Sequence, residues 1–344
     1  MSCRLSVVIV TWNVREDVIA CLESLYCDAA VAPVELEVIV VDNDSTDGTV
    51  ESIRQRYPQV AVHANSTNVG FPLANNQALR HARGEYVLLL NPDTEIRTGT
   101  LRACLDVLDG NSEIGMVGCR LELEDGSVQL ECARRPYLLQ HLLLEALYLH
   151  MLFPRNRICG DHLMSWWDHR GERDVEAISG AFMMARREVM EQVGGLPAEL
   201  FMYHEDLAFC LRARRAGWRV RYLGGHSVLH RWRGSSRKSS ETLALLEGEC
   251  KVRLIREAQG PMAGSAARAA FGVRCAIRLV VGGIGMLLPG RSARASRYPR
   301  VFDWRIHWLQ LVWTLRPGRV AHRMPQPVLP PDPPHAATAL SSGR

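Results

Sequence analysis

Across residues 1–120 the chain alternates short apolar runs with helical spacings, and this constrains its fold more than any other feature. "LSVVIV" (5–10) and "LEVIVVD" (36–42) are continuous β-branched runs, as expected of strands buried on both faces. "VAVHA" (60–64), "YVLLL" (86–90) and "IGMVGC" (114–119) read as three more strands. Between them, Val14, Val18, Leu22 and Leu25 fall at helical intervals. "STDGTVESIRQRY" reads as a helix capped by Ser45 or Thr46. "PLANNQALRHA" reads as a helix with Pro72 at its first position, and "LRACLDVLD" as a fourth helix. This repetition predicts an α/β fold, a mostly parallel sheet flanked by helices.

The remainder is looser. "YLLQHLLLEALYLHMLF" (137–153) reads as one leucine-rich helix, "ISGAFMMA" (178–185) as a strand, and "EDLAFCLRARRAGW" (205–218) as a helix ending at Gly217. The α/β domain is expected to close near residue 240. A helical, basic region follows to 323, and then a proline-rich tail, 324–344, expected to be disordered.

Net charge is only +4, but it is unevenly spread: residues 251–323 hold fourteen Lys and Arg against Glu257 and Asp303. Arginines interleaved with Trp304, Trp308 and Trp313 suit an amphipathic surface on the inner leaflet of a membrane. Nucleic acid is the competing partner, but no nucleic-acid-binding motif accompanies the charge. Ten cysteines without a C-x-x-C pair point away from zinc modules and disulfide frameworks, and suit free thiols in a reducing cytoplasm. No secretory signal and no spanning apolar stretch is read, so the expectation is a cytoplasmic protein peripheral on the membrane's inner face.

Polar residues collect where the strands end: Thr11-Trp12-Asn13, then Asp42-Asn43-Asp44, then Asn65, Asn68 and Gly70, then Asn91-Pro92-Asp93. In a doubly wound sheet these ends share one edge and form one cleft. Neither G-x-G-x-x-G nor a P-loop is present, so a nucleotide must be held by other means. Asp42 could accept hydrogen bonds from a base or ribose, and Asp93 could hold a divalent cation bridging diphosphate oxygens.

"SVVIVTWN", "VIVVDNDSTDGT", "NVGF", "LLLNPDTEI", "SGAFMMARRE", "FMYHEDLAFCLRARRAGW" and "HRWRGSSRK" together resemble the inverting family 2 glycosyltransferases with the A-type (GT-A) fold, nearest to rhamnosyltransferases and their galactofuranosyl cousins. The resemblance covers residues 5–240. It implies that Thr11, Asn13, Asp42 and Asn43 face the base and ribose of a nucleotide-sugar donor, and that Asn68 and Gly70 line the nucleotide or diphosphate pocket. Asp93 becomes the metal carboxylate of a D-x-D element whose first position is Asn91. Gly180 lets backbone approach the sugar. Asp206 becomes the general base, with Glu205 as its substitute, and His230 completes the shell of Mg²⁺ or Mn²⁺. "SSRK" stands near a diphosphate or an acceptor phosphate.

Such a chain is expected to move a sugar, L-rhamnose from dTDP-rhamnose, onto a cell-surface polysaccharide or lipid-linked saccharide acceptor, by single displacement with inversion. The alternatives are a UDP-sugar-dependent hexosyl- or galactofuranosyltransferase and a non-catalytic nucleotide-sugar-binding assembly protein. The last arises because Ala208 stands where the family's E-D-x-D-L carries its second aspartate. Processive synthesis is disfavoured by the lack of Q-x-x-R-W.

Overall fold

The computed structural model describes residues 3–31, 33–231, 241–287 and 304–316. The "SSRK" run, the boundary expected near 240 and the proline-rich tail lie outside them. The five expected strands form as β1 (Leu5–Thr11), β2 (Leu36–Asp42), β3 (Ala61–Ala64), β4 (Tyr86–Leu90) and β6 (Ile114–Glu122). Their helices are α1 (Arg15–Val31), α2 (Thr49–Arg56), α3 (Phe71–Leu79) and α4 (Thr100–Gly110). β1 and β4 are buried at every position, so their apolar runs end up with both faces covered.

The expected 178–185 strand contributes β10 (Phe182–Arg186), and the sheet also contains strands that the periodicity did not show: β5 (Thr94–Ile96), β8 (Arg173–Val175) and the long β11 (Arg219–His230). The order is β3-β2-β1-β4-β10-β6-β11-β5, with β8 on β11. β10 runs antiparallel between β4 and β6, and β5 runs antiparallel on β11; the β1, β2, β3, β4 pairings and β6–β11 are parallel.

Three local expectations are corrected. Ser45 and Thr46 do not cap α2; its N-cap is Gly48, and Ser45 Oγ instead accepts the Asn13 N–H at 2.8 Å. The 137–153 helix is broken into α5 (Leu139–Ala146) and α6 (Leu149–Leu152), because Tyr148 takes a left-handed φ of 57°. The 178–185 strand is interrupted: β9 (Ala177–Ile178) pairs with β7 (Ala133–Arg134) in a separate ribbon, and β10 resumes at Phe182. The intervening Ser179, Gly180 and Ala181 are thereby freed to line a cavity. Between β10 and β11 come α7 (Arg187–Val193) and α8 (Glu205–Arg215).

The last helices are α9 (Glu241–Gln259), α10 (Pro261–Leu287) and α11 (Trp304–Leu315). The apolar core runs without interruption from the sheet into Leu245, Ile255, Phe271 and Trp313 on these helices. Trp313 is fully buried edge-on to Phe271, so it serves this core and not an interface; Trp304 and Trp308 are exposed. Among the described residues no helix is long and apolar enough to cross a membrane.

Gly70 shows how tightly the α3 end is built. Its φ is +89°, and a Cβ there would lie 2.7 Å from the Phe201 carbonyl oxygen. Gly70→Ala is expected to destabilise the fold by at least roughly 1–3 kcal/mol, read by urea unfolding. An unchanged midpoint would show that the loop carrying Phe201 yields freely.

Candidate active site

Two cavities meet at one point. The smaller, of about 250 Å³, lies over the carboxyl ends of β1, β2 and β4 and includes Thr11, Asn43, Asn68, Asn91, Asp93 and His230. The larger, of about 880 Å³, lies between the sheet domain and α9–α11. Ser179, Tyr203, Glu205 and Asp206 line both, so the two cavities adjoin beside Asp206.

The strand ends are locked before any ligand arrives. β1 and β2 are paired with Thr11 opposite Asp42, and Thr11 Oγ1 donates to Asp42 Oδ1 at 2.8 Å. The Ser45 N–H donates to the other oxygen of Asp42 at 2.8 Å. Asn13 accepts the Thr46 N–H, Asn68 accepts the Gly70 N–H, and the Asn43 side-chain carbonyl accepts from Asn65. Asp42 and Gly70 are buried, Asn13 is exposed at the rim, and Thr11, Asn43, Asn68 and Asn91 line the cavity.

Asp93 follows the β4 turn, and the chain then crosses to the far edge of the sheet as β5. There Thr94 is registered opposite His230 of β11, and the Arg231 N–H donates to the Asp93 carbonyl at 2.9 Å. This register sets His230 Nε2 3.3 Å from Asp93 Oδ1. The other ring nitrogen, Nδ1, donates to Gln129 Oε1 at 2.6 Å, which fixes the ring. Both side chains are almost wholly buried yet line the cavity. Nε2 and a carboxylate oxygen at this spacing fit adjacent positions on one octahedral cation, which roughly 2.1 Å bonds would hold about 3 Å apart. The donated Nδ1–H is the usual partner of a ligating imidazole. Among the described residues no cluster of three His, Cys, Asp or Glu could cage a metal, so a cation here would keep open positions for ligand oxygens and water.

Asp206 opens α8. It is reached through Tyr203 and His204, both left-handed at φ 77° and 62°, a strained entry of a kind found at functional sites. Its Oδ2 accepts from Arg134 Nη2 at 2.5 Å and from the Gly180 N–H at 3.0 Å. Burial alone would raise its pKa; Arg134 and the Gly180 N–H outweigh that and hold the carboxyl below the ordinary aspartate range. Glu205 is the opposite case. Burial, then the charge on Asp206, pushes it up to about 8, and its Oε2 is buried with no hydrogen-bond partner. The two neighbouring carboxyls are thus pushed in opposite directions, and Asp206 is the one favoured as the ionised base. Ala208, two residues further on, is buried in the core.

The Glu205 shift has a consequence for stability. A carboxyl whose folded pKa lies above its unfolded value favours folding fully below the unfolded pKa, and that contribution is lost as pH rises. Between about pH 4.5 and 8, Glu205 should cost the fold a few kcal/mol that Glu205→Gln does not lose. The melting temperature of Glu205→Gln relative to the unsubstituted protein should climb steadily across that range. A constant difference would mean that Glu205 ionises normally.

Sequence reasoning missed Arg134, Gln129 and the whole larger cavity. Arg134 lies in "ECARRPY", where nothing local distinguishes it from its exposed neighbour Arg135.

A sheet of this order with its cleft at the strand ends is the GT-A fold. It resembles the mannosyltransferase PcManGT from Pyrobaculum calidifontis in complex with GDP-Man and Mn²⁺, with a TM-score of 0.55 at 19% identity over 92% of this chain and 88% of that one. GalNAc-T7 with UDP, GalNAc and Mn²⁺ gives 0.53 at 14% identity, over 74% and 48%. The model of glycosyl transferase family group 2 matches residues 86–314, two thirds of the chain, and that of glycosyl transferase family 2 matches 6–165. The chain belongs to the family 2 glycosyltransferases.

Among curated relatives, the N-acetylglucosaminyl-diphospho-decaprenol L-rhamnosyltransferase of Mycobacterium tuberculosis is 31% identical over 209 residues, 57% of this chain and 66% of that protein. The low-salt glycan biosynthesis hexosyltransferase Agl10 of Haloferax volcanii is 28% identical over 61% of this chain and 62% of that protein. The matches span just under two thirds of these relatives' lengths.

Proposed function

We propose that the protein is a metal-dependent, inverting glycosyltransferase that moves L-rhamnose from dTDP-rhamnose to a hydroxyl of a lipid-linked saccharide at a membrane surface. The observation that carries this reading is the junction of the two cavities at Asp206. One cavity suits a donor and the other an acceptor, and the ionised carboxylate stands between them. The similarity to a decaprenol-linked L-rhamnosyltransferase supports both the sugar and the acceptor class.

The donor's nucleotide would enter over Thr11, Asn43 and Asn68, with exposed Trp12 and half-buried Phe71 offering apolar faces to its base. Asp93 and His230 would hold Mg²⁺ or Mn²⁺, which supplies charge neutralisation for the departing diphosphate. Asp206 would accept the acceptor hydroxyl's proton as that oxygen attacks the anomeric carbon from the face opposite the diphosphate. The new bond forms as the old one breaks, so the anomeric configuration inverts. Arg134 positions Asp206 and keeps it ionised. Gly180, without a side chain, leaves room above it, since a Cβ there would lie 3.5 Å from Asp206 Cβ.

The test is a nucleotide-sugar panel read by thermal shift, with and without Mg²⁺ or Mn²⁺. Metal-dependent stabilisation by dTDP-rhamnose above UDP-sugars is expected. A preference for UDP-sugars would move the chain to hexosyl or galactofuranosyl transfer, which the similarity to Agl10 favours. No response to any of them would leave the non-catalytic reading that Ala208 suggests.

A further inference from the structure

On its C-terminal-helix side the larger cavity is lined by three cations. α9 supplies Lys251, and α10 supplies Arg274 and Arg278. Lys251 and Arg274 are buried and both reach Glu145 of α5, at 3.1 and 3.0 Å; Lys251 also meets Glu247 at 3.1 Å. Two carboxylates are thus matched by two cations.

Arg278 is the cation in excess. It feels the field of Glu145, which Lys251 and Arg274 already engage, and among the described residues no carboxylate forms an ion pair with it. Its guanidinium lies 5.7 Å from the centre of the Tyr148 ring, and its Nε, like that of Arg274, is buried without a hydrogen-bond partner. A partly buried cation that must share its nearest carboxylate with two others is costly, and an added anion would complete it.

The surroundings say what the anion is attached to. Beside Tyr148 the short α6 and its flanks expose Leu147, Met151, Leu152 and Phe153, and α10 exposes Val281 three residues beyond Arg278. Exposed apolar side chains flanking Tyr148, with a cation in excess over its ring, suit a ligand that is anionic at one end and apolar at the other.

We propose that Arg278, backed by Arg274 and Lys251, seats the phosphate or diphosphate of a lipid-borne acceptor, with the lipid chain lying over Leu147, Met151, Leu152 and Phe153. The inference rests on the transferase reading for its direction: with the phosphate at Arg278, the saccharide extends through the cavity to Asp206. It also gives the basic C-terminal helices a defined ligand in place of general attraction to a charged surface.

The experiment measures binding of geranylgeranyl diphosphate to the full chain in the presence of EDTA, which removes cation-dependent binding over Asp93. Arg278→Gln should weaken it about tenfold or more, and Arg278→Lys should retain most of it. Phe153→Ser should weaken geranylgeranyl diphosphate but not inorganic pyrophosphate, and it serves as the second probe should Arg278→Gln fail to fold. Equal binding by the unsubstituted protein and a folded Arg278→Gln variant overturns the site. Binding to phosphatidylglycerol vesicles without any response to geranylgeranyl diphosphate also overturns it, because the helices would then be sensing bulk membrane charge. Pyrophosphate binding as tight as the prenyl compound removes the lipid contact. Nucleotide-sugar binding, measured on the same preparations with metal, separates the two readings. If it is absent while Arg278-dependent prenyl binding persists, the transferase reading fails and the lipid-phosphate site stands.

Discussion

Asp206→Asn should reduce sugar transfer by about 10²- to 10⁴-fold, the contribution expected of a positioned general base. The amide keeps the shape of the side chain and can still accept from Arg134 and the Gly180 N–H, but it cannot take up the acceptor proton. The same substitution leaves Arg134 buried beside a neutral group, and breaking a buried pair costs about 3–5 kcal/mol. Loss of activity and loss of stability must therefore be separated. Asp206→Asn combined with Arg134→Met removes both charges and should recover much of the stability while turnover stays low. If the double variant recovers turnover as well, the defect was one of folding and Asp206 is not the base. Arg134→Met alone should raise the apparent pKa of the acidic limb of the pH–rate profile, because Asp206 would keep its burial and lose its counter-charge.

Asp93→Ala should lower kcat/KM by roughly 10³-fold or more, since neutralising the departing diphosphate is worth several kcal/mol in the transition state. The effect should be visible without turnover. Nucleotide-sugar stabilisation of the unsubstituted protein should fall on adding EDTA and return with Mn²⁺, and that metal-dependent increment should vanish in Asp93→Ala. His230→Ala should reduce the increment without abolishing it, because Asp93 and the donor's own oxygens remain. If Asp93→Ala keeps a full Mn²⁺-dependent increment, the cation is bound elsewhere and the Asp93–His230 pair is only a structural contact.

The strand ends explain why four turns that are individually ordinary together make a cleft. Parallel pairing of β1 with β2 and with β4 brings Thr11, Asp42 and Leu90 to one edge whatever residues follow them. Asp42 and Asn13, which look like ligand contacts in the sequence, also bond to Thr11, Ser45 and Thr46. Those bonds hold the rim rigid, and rigid rims are what position a nucleotide for transfer.

The basic C-terminal region reads differently once folded. In the sequence its charge suggests a surface for anionic lipid. In the structure Lys251 and Arg274 are turned inward onto Glu145, and Trp313 is core. Periodicity could not show this, because α10 offers apolar side chains around much of its circumference and the choice of inward face depends on α5 and α11.

The sequence by itself determined the alternation of strands and helices, the polar strand ends, Asp93 after "LLLN" and the Glu205-Asp206 pair. Each of these is written in neighbouring residues, through side-chain period, turn chemistry and motif. Only the tertiary structure decided that Arg134 holds Asp206 toward its ionised form from 72 positions away, that burial and Asp206 push Glu205 the other way, and that β5 pairing on β11 places His230 against Asp93. Those outcomes depend on strand register and on how much water is excluded around each charge, which are sums over the whole fold and leave no mark in any short stretch of chain.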